Sequence, residues 1–238
     1  MKHESLTDYG ASTANAPKIV QAFPEQFPAR SPLAALGGVR KRVLDIFLIV
    51  CFMPLTVPLI LALMVLVKAS DGGAVFFAHR RVGFGGKQFN CWKFRTMVEN
   101  GDRILADYLA RNPQERLLWE TQRKLKDDPR ITPLGAIMRK LSLDELPQLW
   151  NILRGEMSIV GPRPVVMDEL ALYGNCVRHY LRTRPGLTGL WQVSGRSFTT
   201  YRYRVLLDRT YVTRWSVPLD LWIIARTIPA VVASRGAV

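Results

Sequence analysis

Two adjacent carboxylates, Asp144 and Glu145, stand in a stretch rich in cations: Arg139 and Lys140 precede them, and Arg154 and Arg163 follow. A carboxylate can attack phosphorus as a nucleophile and form an acyl phosphate. Fixed cations would offset the charge of a pyrophosphate in such a step. One or two carboxylates together with substrate oxygens make a ligand set that suits Mg²⁺. Arg163 lies in Gly161-Pro162-Arg163-Pro164, where the prolines and the glycine fix the backbone and aim one guanidinium, a setting for bidentate phosphate binding. The plainer reading of Arg163 is a solvated surface loop. Lys93-Phe94-Arg95 ends a strand pattern, and Arg184 and Arg196 close the two ends of a Gly-rich stretch that lets a ligand approach the backbone.

The same acidic pair fits an ordinary helix start. Asp is a favoured N-cap, and Ser142 with Glu145 matches a capping box. Pro147 then falls in the first turn, where its missing N–H costs nothing. Leu146, Leu149, Trp150 and Leu153 form one apolar stripe beyond it. The positive end of such a helix favours an ionised Asp144 with a phosphate nearby. Cap and reactive group are both open on these residues. Nothing matches a P-loop, a G-x-S-x-G elbow or an H-E-x-x-H helix.

The elements that position this pair begin with an apolar stretch. Arg40-Lys41-Arg42 opens it, and residues 46–67 carry no charge. That run is long enough for a membrane helix. Pro54 and Pro58 interrupt it, so a kink is expected. Basic residues flank both ends, with Lys68, His79, Arg80 and Arg81 on the far side. Bases collect at cytoplasmic ends, so a hairpin returning to the same face is the simplest arrangement, with a spanning helix equally compatible with hydropathy. A buried core helix fits least well.

Past Asp71-Gly72-Gly73 the pattern gives a short strand at 74–77, a turn at 83–86 and a second strand within 87–97. Helical patterns follow at 98–125 with a break at Asn112-Pro113, then at 134–141, 144–153, 201–215 and 219–232. The last of these, with Trp222 and Arg226, suits either a membrane-interface helix or one packed on the core. Residues 1–39 mix Ala, Ser, Thr, Asn and Pro without a period and read as a disordered segment.

The net charge of +14 calls for an anionic partner: nucleic acid, anionic lipid or a phosphorylated small molecule. Nucleic-acid binding leaves the apolar run and the acidic pair unexplained. A non-enzymatic scaffold holding anionic lipid headgroups accounts for the charge and the helix but not for Asp144-Glu145. Three dispersed cysteines and three scattered histidines argue against a zinc site or a disulfide framework.

Several long motifs occur in order: Lys93-Phe94-Arg95-Thr96-Met97, Asp128-Pro129-Arg130 through Leu134-Gly135, residues 139–153, Gly155-Glu156-Met157-Ser158 with Gly161-Pro162-Arg163-Pro164, residues 184–196, and Arg226-Thr227-Ile228-Pro229-Ala230-Val231. Together they make the chain resemble, across residues 40–238, the bacterial sugar transferases, monotopic phosphoglycosyl transferases that act on polyprenol phosphate. The resemblance implies transfer of a sugar 1-phosphate from a UDP-sugar to undecaprenyl phosphate with release of UMP, the first step of exopolysaccharide or other surface glycan assembly. Asp144 matches the nucleophile and would meet the Mg²⁺. Glu145 matches the second member of the dyad. Lys93, Arg139, Arg163 and Arg196 match positions of the phosphate site. Pro58 matches the proline that bends a re-entrant membrane helix.

The chain lacks the N-terminal membrane bundle of larger members, and Gly135-Ala136-Ile137-Met138-Arg139 lacks a basic residue often seen after the glycine. The expected architecture is α+β and mainly helical. A re-entrant kinked membrane helix (40–69) is joined to a cytoplasmic catalytic domain (70–238) with interfacial helices and a small β element. The expected setting is the bacterial inner membrane and its lipid, with no nucleic acid. The sequence allows a homo-oligomer without requiring one, and no motif reports which sugar is carried.

Overall fold

A computed structural model describes residues 35–122, 125, 127–195 and 200–232. Of the segment 1–39 read as disordered, residues 1–34 lie outside these, as does Arg196; residues 35–39 are ordered, with the helix already begun at Gly38. Ala35 is buried, and the Leu36 N–H bonds to the Arg182 carbonyl, so the described chain enters already docked. Helix α1 then runs from Gly38 to Asp71, with Pro54 and Pro58 inside an uninterrupted helical assignment. It is the one described helix long and apolar enough to cross a membrane. It ends where Gly72 takes a left-handed conformation (φ 74°) and bonds its N–H to the Lys68 carbonyl, a geometry that favours a residue without Cβ.

The buried residues of α1 lie at its two ends: Lys41, Asp45 and Ile49, then Leu63 and Val67. Ile49 packs with Phe89, Cys91, Ile152 and Met157, while Leu63 and Val67 pack with Phe94 and Met138. Between them, residues 50–62 are exposed apart from partial cover of Thr56 and Ile60. A straight helix lying along the domain would bury a residue every third or fourth position throughout. This one is buried against the folded domain near its two ends and exposed in the middle, and its helix continues through Pro54 and Pro58.

The basic flank of α1 is largely structural. Lys41 is only 2% exposed and donates to Asp220 (2.6 Å) and to the Tyr211 hydroxyl (2.9 Å). Arg42 donates to the carbonyls of Ile152 and Leu153. At the far end Arg95, from the Lys93-Phe94-Arg95 motif, pairs with Asp71 and with Glu99 (2.9 Å). Its charge ties down the end of α1.

Strands β1 (Phe76–Val82) and β2 (Gln88–Phe94) form an antiparallel hairpin, paired from Phe76↔Phe94 to Val82↔Gln88. β1 thus extends through His79-Arg80-Arg81, beyond the strand expected at 74–77. Helices α2 (Gly101–Arg111) and α3 (Pro113–Gln122) break where expected, with Pro113 opening α3. Helix α4 (Pro133–Lys140) starts on Thr132, whose hydroxyl accepts from the Gly135 N–H (2.9 Å). Helix α5 (Gln148–Leu153) follows the acidic pair.

A second, parallel pair joins β3 (Ser158–Val160) to β4 (Gly186–Thr188). A Cβ on Gly161 would lie 2.5 Å from the Arg184 carbonyl oxygen and 2.8 Å from the Gly186 nitrogen. Only glycine permits that approach. Short helices α6 (Met167–Leu170), α7 (Val177–Leu181) and α8 (Leu190–Val193) lead to α9 (Tyr201–Thr213) and α10 (Val217–Val232). Helix α10 packs on the core through one face. Asp220 and Ile223 are fully buried, while Leu221, Trp222 and Ile228 remain exposed.

Candidate active site

The acidic pair does not begin an α-helix. Residues Leu143–Glu145 form a 3₁₀ turn, and α5 starts only after Pro147. Ser142, the expected capping-box partner, makes no side-chain cap bond and takes a left-handed backbone (φ 56°). It is the only non-glycine with positive φ among the described residues. The strain is of order 1–2 kcal/mol. It turns the chain sharply out of α4 and sets Asp144 against β2.

Lys93 on β2 faces both carboxylates, at 2.6 Å from Glu145 Oε1 and 3.5 Å from Asp144 Oδ2. Asn151, fully buried on α5, fixes this approach. Its Oδ1 accepts from the Trp92 N–H (3.1 Å), and its Nδ2 donates to the Asn90 carbonyl (2.7 Å) and to Glu156 (2.6 Å). Every polar atom of this amide is used, so α5 is locked to β2 in one register.

A cleft of about 280 Å³, its open mouth included, is lined by Arg81, Cys91, Lys93, Glu145, Gln148, Arg163 and Gln192 among others. Lys93, Glu145 and Arg163 are thereby brought together as expected, with Asp144 beside them. Arg163 is carried in by backbone pairing on both sides of its loop. The Gly161 N–H bonds to the Thr188 carbonyl (2.9 Å), and the Gly186 N–H to the Pro162 carbonyl (2.8 Å). Its guanidinium lies 5.9 Å from the centroid of the Trp191 ring. Arg139 is not among the lining residues. Its Nε donates to the Thr96 hydroxyl (2.9 Å), and its charge still acts on Asp144.

Arg81, Gln148 and Gln192 were not singled out from sequence as site residues. Arg81 sits in the electrostatic reach of Arg163, and its guanidinium is 3.8 Å from Glu169. Two guanidiniums sharing a cleft with a lysine repel one another unless an anion separates them.

Asp144 is largely buried, and desolvation pushes its carboxyl up from its ordinary value; Lys93 opposes the rise, Glu145 adds to it, and Arg139 opposes it. The sequence reading placed Asp144 at the start of an α-helix; the structure puts it in a three-residue 3₁₀ turn instead. Burial, not a helix dipole, is the largest influence on its carboxyl. Among the described residues no three His, Cys, Asp or Glu side chains gather as a metal site. The acidic oxygens beside the cleft are those of Asp144 and Glu145, both within reach of Lys93; Mg²⁺ takes few protein ligands when substrate phosphates supply the rest.

The site thus sets a buried carboxylate under a lysine, at the edge of a cleft bearing two guanidiniums. The sequence relationships are of one kind. A family model described as bacterial sugar transferase matches residues 36–234, and the chain belongs to that family. The exopolysaccharide production protein ExoY of Sinorhizobium fredii is 54% identical over 215 residues, covering 90% of this chain and 94% of that protein. The undecaprenyl-phosphate galactose phosphotransferase of Salmonella typhimurium is 47% identical over 197 residues, 83% of this chain and 41% of that protein. The UDP-glucose:undecaprenyl-phosphate glucose-1-phosphate transferase of Xanthomonas campestris pv. campestris is 39% identical over 188 residues, 76% of this chain and 36% of that protein.

Proposed function

We propose that this chain is a phosphoglycosyl transferase that moves a sugar 1-phosphate from a UDP-sugar to undecaprenyl phosphate, releasing UMP, through a phosphosugar-aspartate intermediate. The observation that carries the reading is Asp144, buried beside Lys93 at the edge of the cationic cleft. The carboxylate oxygen of Asp144 attacks the sugar-bearing phosphorus. The bond from that phosphorus to the bridging oxygen breaks, and UMP leaves with the electron pair. An oxygen of undecaprenyl phosphate then attacks the same phosphorus and frees the carboxylate. Lys93, Arg163 and Arg81 neutralise the diphosphate in the cleft, Arg139 supports the charge of Asp144, and Arg196 joins them by family match alone. Asp144 and Glu145 would hold Mg²⁺, which supplies further charge neutralisation when bound. A panel of UDP-sugars with undecaprenyl phosphate and Mg²⁺, scored by UMP release, tests the activity and identifies the sugar. No release with any of them would exclude it.

Only ionised Asp144 can react, so its raised pKa fixes a pH dependence. UMP release in the absence of acceptor should fall on the acid side at a higher pH than an exposed carboxylate would give. Lys93 makes the largest contribution opposing that rise. Lys93→Met should therefore move the acid limb to still higher pH, with a greater loss at pH 6 than at pH 8. An acid limb at the same pH in both proteins would contradict this placement of charge.

The membrane reading is re-entrant. What supports it is that residues near both ends of α1 pack on one folded domain while the apolar middle is exposed. A helix whose two ends belong to the same body enters and leaves by one face, with Pro58 at the bend. The catalytic domain then lies on the cytoplasmic side of the inner membrane. Reporter tags at Lys2 and Val238 should both signal the cytoplasmic side; a periplasmic signal from Lys2 alone would restore a spanning helix.

A further inference from the structure

Gln148 opens helix α5 and is only 2% exposed, yet it lines the cleft beside Lys93, Glu145 and Arg163. A carboxamide carries two N–H donors and an acceptor oxygen. Those of Asn151, three residues further along the same helix, are all bonded, to Trp92, Asn90 and Glu156. The Gln148 carboxamide makes no hydrogen bond to any described residue. What little of it is exposed opens into the cleft. Burying such a group without partners weakens the fold. A ligand that supplies the missing partners recovers that loss, and one that cannot supply them is rejected.

The backbone sets where this amide points. Leu146 and Pro147, which join the 3₁₀ turn to α5, both keep right-handed helical conformations (φ −55°, ψ −35° and φ −60°, ψ −17°). Residues three and four apart on such a backbone share a face. Gln148 therefore lies on the side that carries Asp144 and Glu145. The bonds of Asn151 to β2 hold that face toward Lys93.

The chemistry of the amide differs from that of its neighbours. Arg81, Lys93 and Arg163 answer the charge of a diphosphate, but they only donate. Gln148 adds an acceptor oxygen next to a donor, and no charge. A phosphoryl oxygen next to a sugar hydroxyl is the complement of that pair: one accepts and the other donates.

We propose that Gln148 grips the sugar phosphate, the group that is transferred. Its Nε2 donates to a non-bridging oxygen of the phosphorus that Asp144 attacks, and its Oε1 accepts from a hydroxyl of the attached sugar. The proposal rests on the transferase reading above. That phosphorus carries the sugar through both steps, so Gln148 holds it while UMP leaves and again while the acceptor attacks.

Gln148→Met in the full chain keeps the length of the side chain and removes both polar atoms. The midpoint of unfolding should hold or rise, because no protein partner is lost. UMP release without acceptor, and discharge of the phosphosugar adduct by undecaprenyl phosphate, should each slow by about 10²-fold, the scale of one donor lost from a reacting oxyanion. Inhibition by UMP should stay as it was. Gln148→Asn, which keeps the amide but withdraws it by one methylene, should slow both steps as well. Both steps at the unaltered rate, slowing confined to UMP release, or an equal loss of affinity for UMP would overturn the proposal.

A binding measurement needs no turnover. On the Asp144→Asn chain, with UDP-galactose and UDP-glucose as probes, adding Gln148→Met should raise the Kd of the one that binds about tenfold, the scale of one hydrogen bond, and leave the Kd of UMP unmoved. An unmoved Kd for both probes would overturn the assignment. Failure of the covalent reading shows itself separately, as an unaltered chain that releases no UMP without acceptor.

Discussion

Asp144→Asn is expected to lower UMP release from a UDP-sugar by at least about 10³-fold, the scale seen when a nucleophile is removed. The change keeps the size of the side chain and removes its charge. Lys93 retains Glu145 at 2.6 Å, so the cleft keeps its shape. Membrane retention depends on α1 and should be unaffected. The loss should appear equally in single-turnover release without acceptor, because the first bond made is the one to Asp144. Release at the unaltered rate would mean that water or the acceptor attacks directly. Glu145→Gln should act differently. It loosens the ion pair that orients Lys93, so some release should survive.

The second large effect concerns stability. Asp220 is fully buried and accepts from Lys41 (2.6 Å), the Tyr211 hydroxyl (2.7 Å) and the Trp215 indole (3.0 Å). The cluster joins the start of α1 to α10. Asp220→Leu leaves the Lys41 ammonium buried without its counter-charge, which should cost about 3–5 kcal/mol. The loss would be read as a lower midpoint of unfolding in detergent. Adding Lys41→Met removes the stranded charge, so the double variant should recover part of the loss. A double variant as unstable as the sum of the two singles would show that the pair is not coupled.

Which residues gather at the cleft was more legible than how they are held there. Asp144, Glu145, Lys93 and Arg163 stand in short motifs, and the structure brings them together. Arg81 was not legible in this way. It reads as the basic flank of a membrane segment until β1 pairs with β2. In that register His79 lies opposite Cys91, Phe77 opposite Lys93 and Arg81 opposite Phe89, so Arg81, Cys91 and Lys93 share one face of the hairpin. Register depends on the turn at 83–86 and on packing against α1, neither of which one strand reveals.

The pairing of Lys41 was not legible for a related reason. Three consecutive bases beside an apolar run look like a solvated flank, yet Lys41 and Arg42 find a carboxylate and two carbonyls that lie far along the chain. The Ser142 turn was missed because a capping box and a 3₁₀ turn share the same residues. The left-handed Ser142 that separates them is imposed by packing. Helix positions were read well where local signals suffice, as at the Asn112-Pro113 break and the helix expected at 134–141, which forms over Pro133–Lys140. The parallel pair β3–β4 is too short and too distant in sequence to announce itself.

The most direct measurement of the central claim is intact and peptide mass spectrometry of the chain after brief exposure to a UDP-sugar and Mg²⁺ without acceptor. The account predicts a mass increase equal to one sugar phosphate, located on the peptide containing Asp144, discharged on addition of undecaprenyl phosphate and absent from Asp144→Asn. UMP release with no adduct on that peptide, or an adduct that persists in Asp144→Asn, would contradict it.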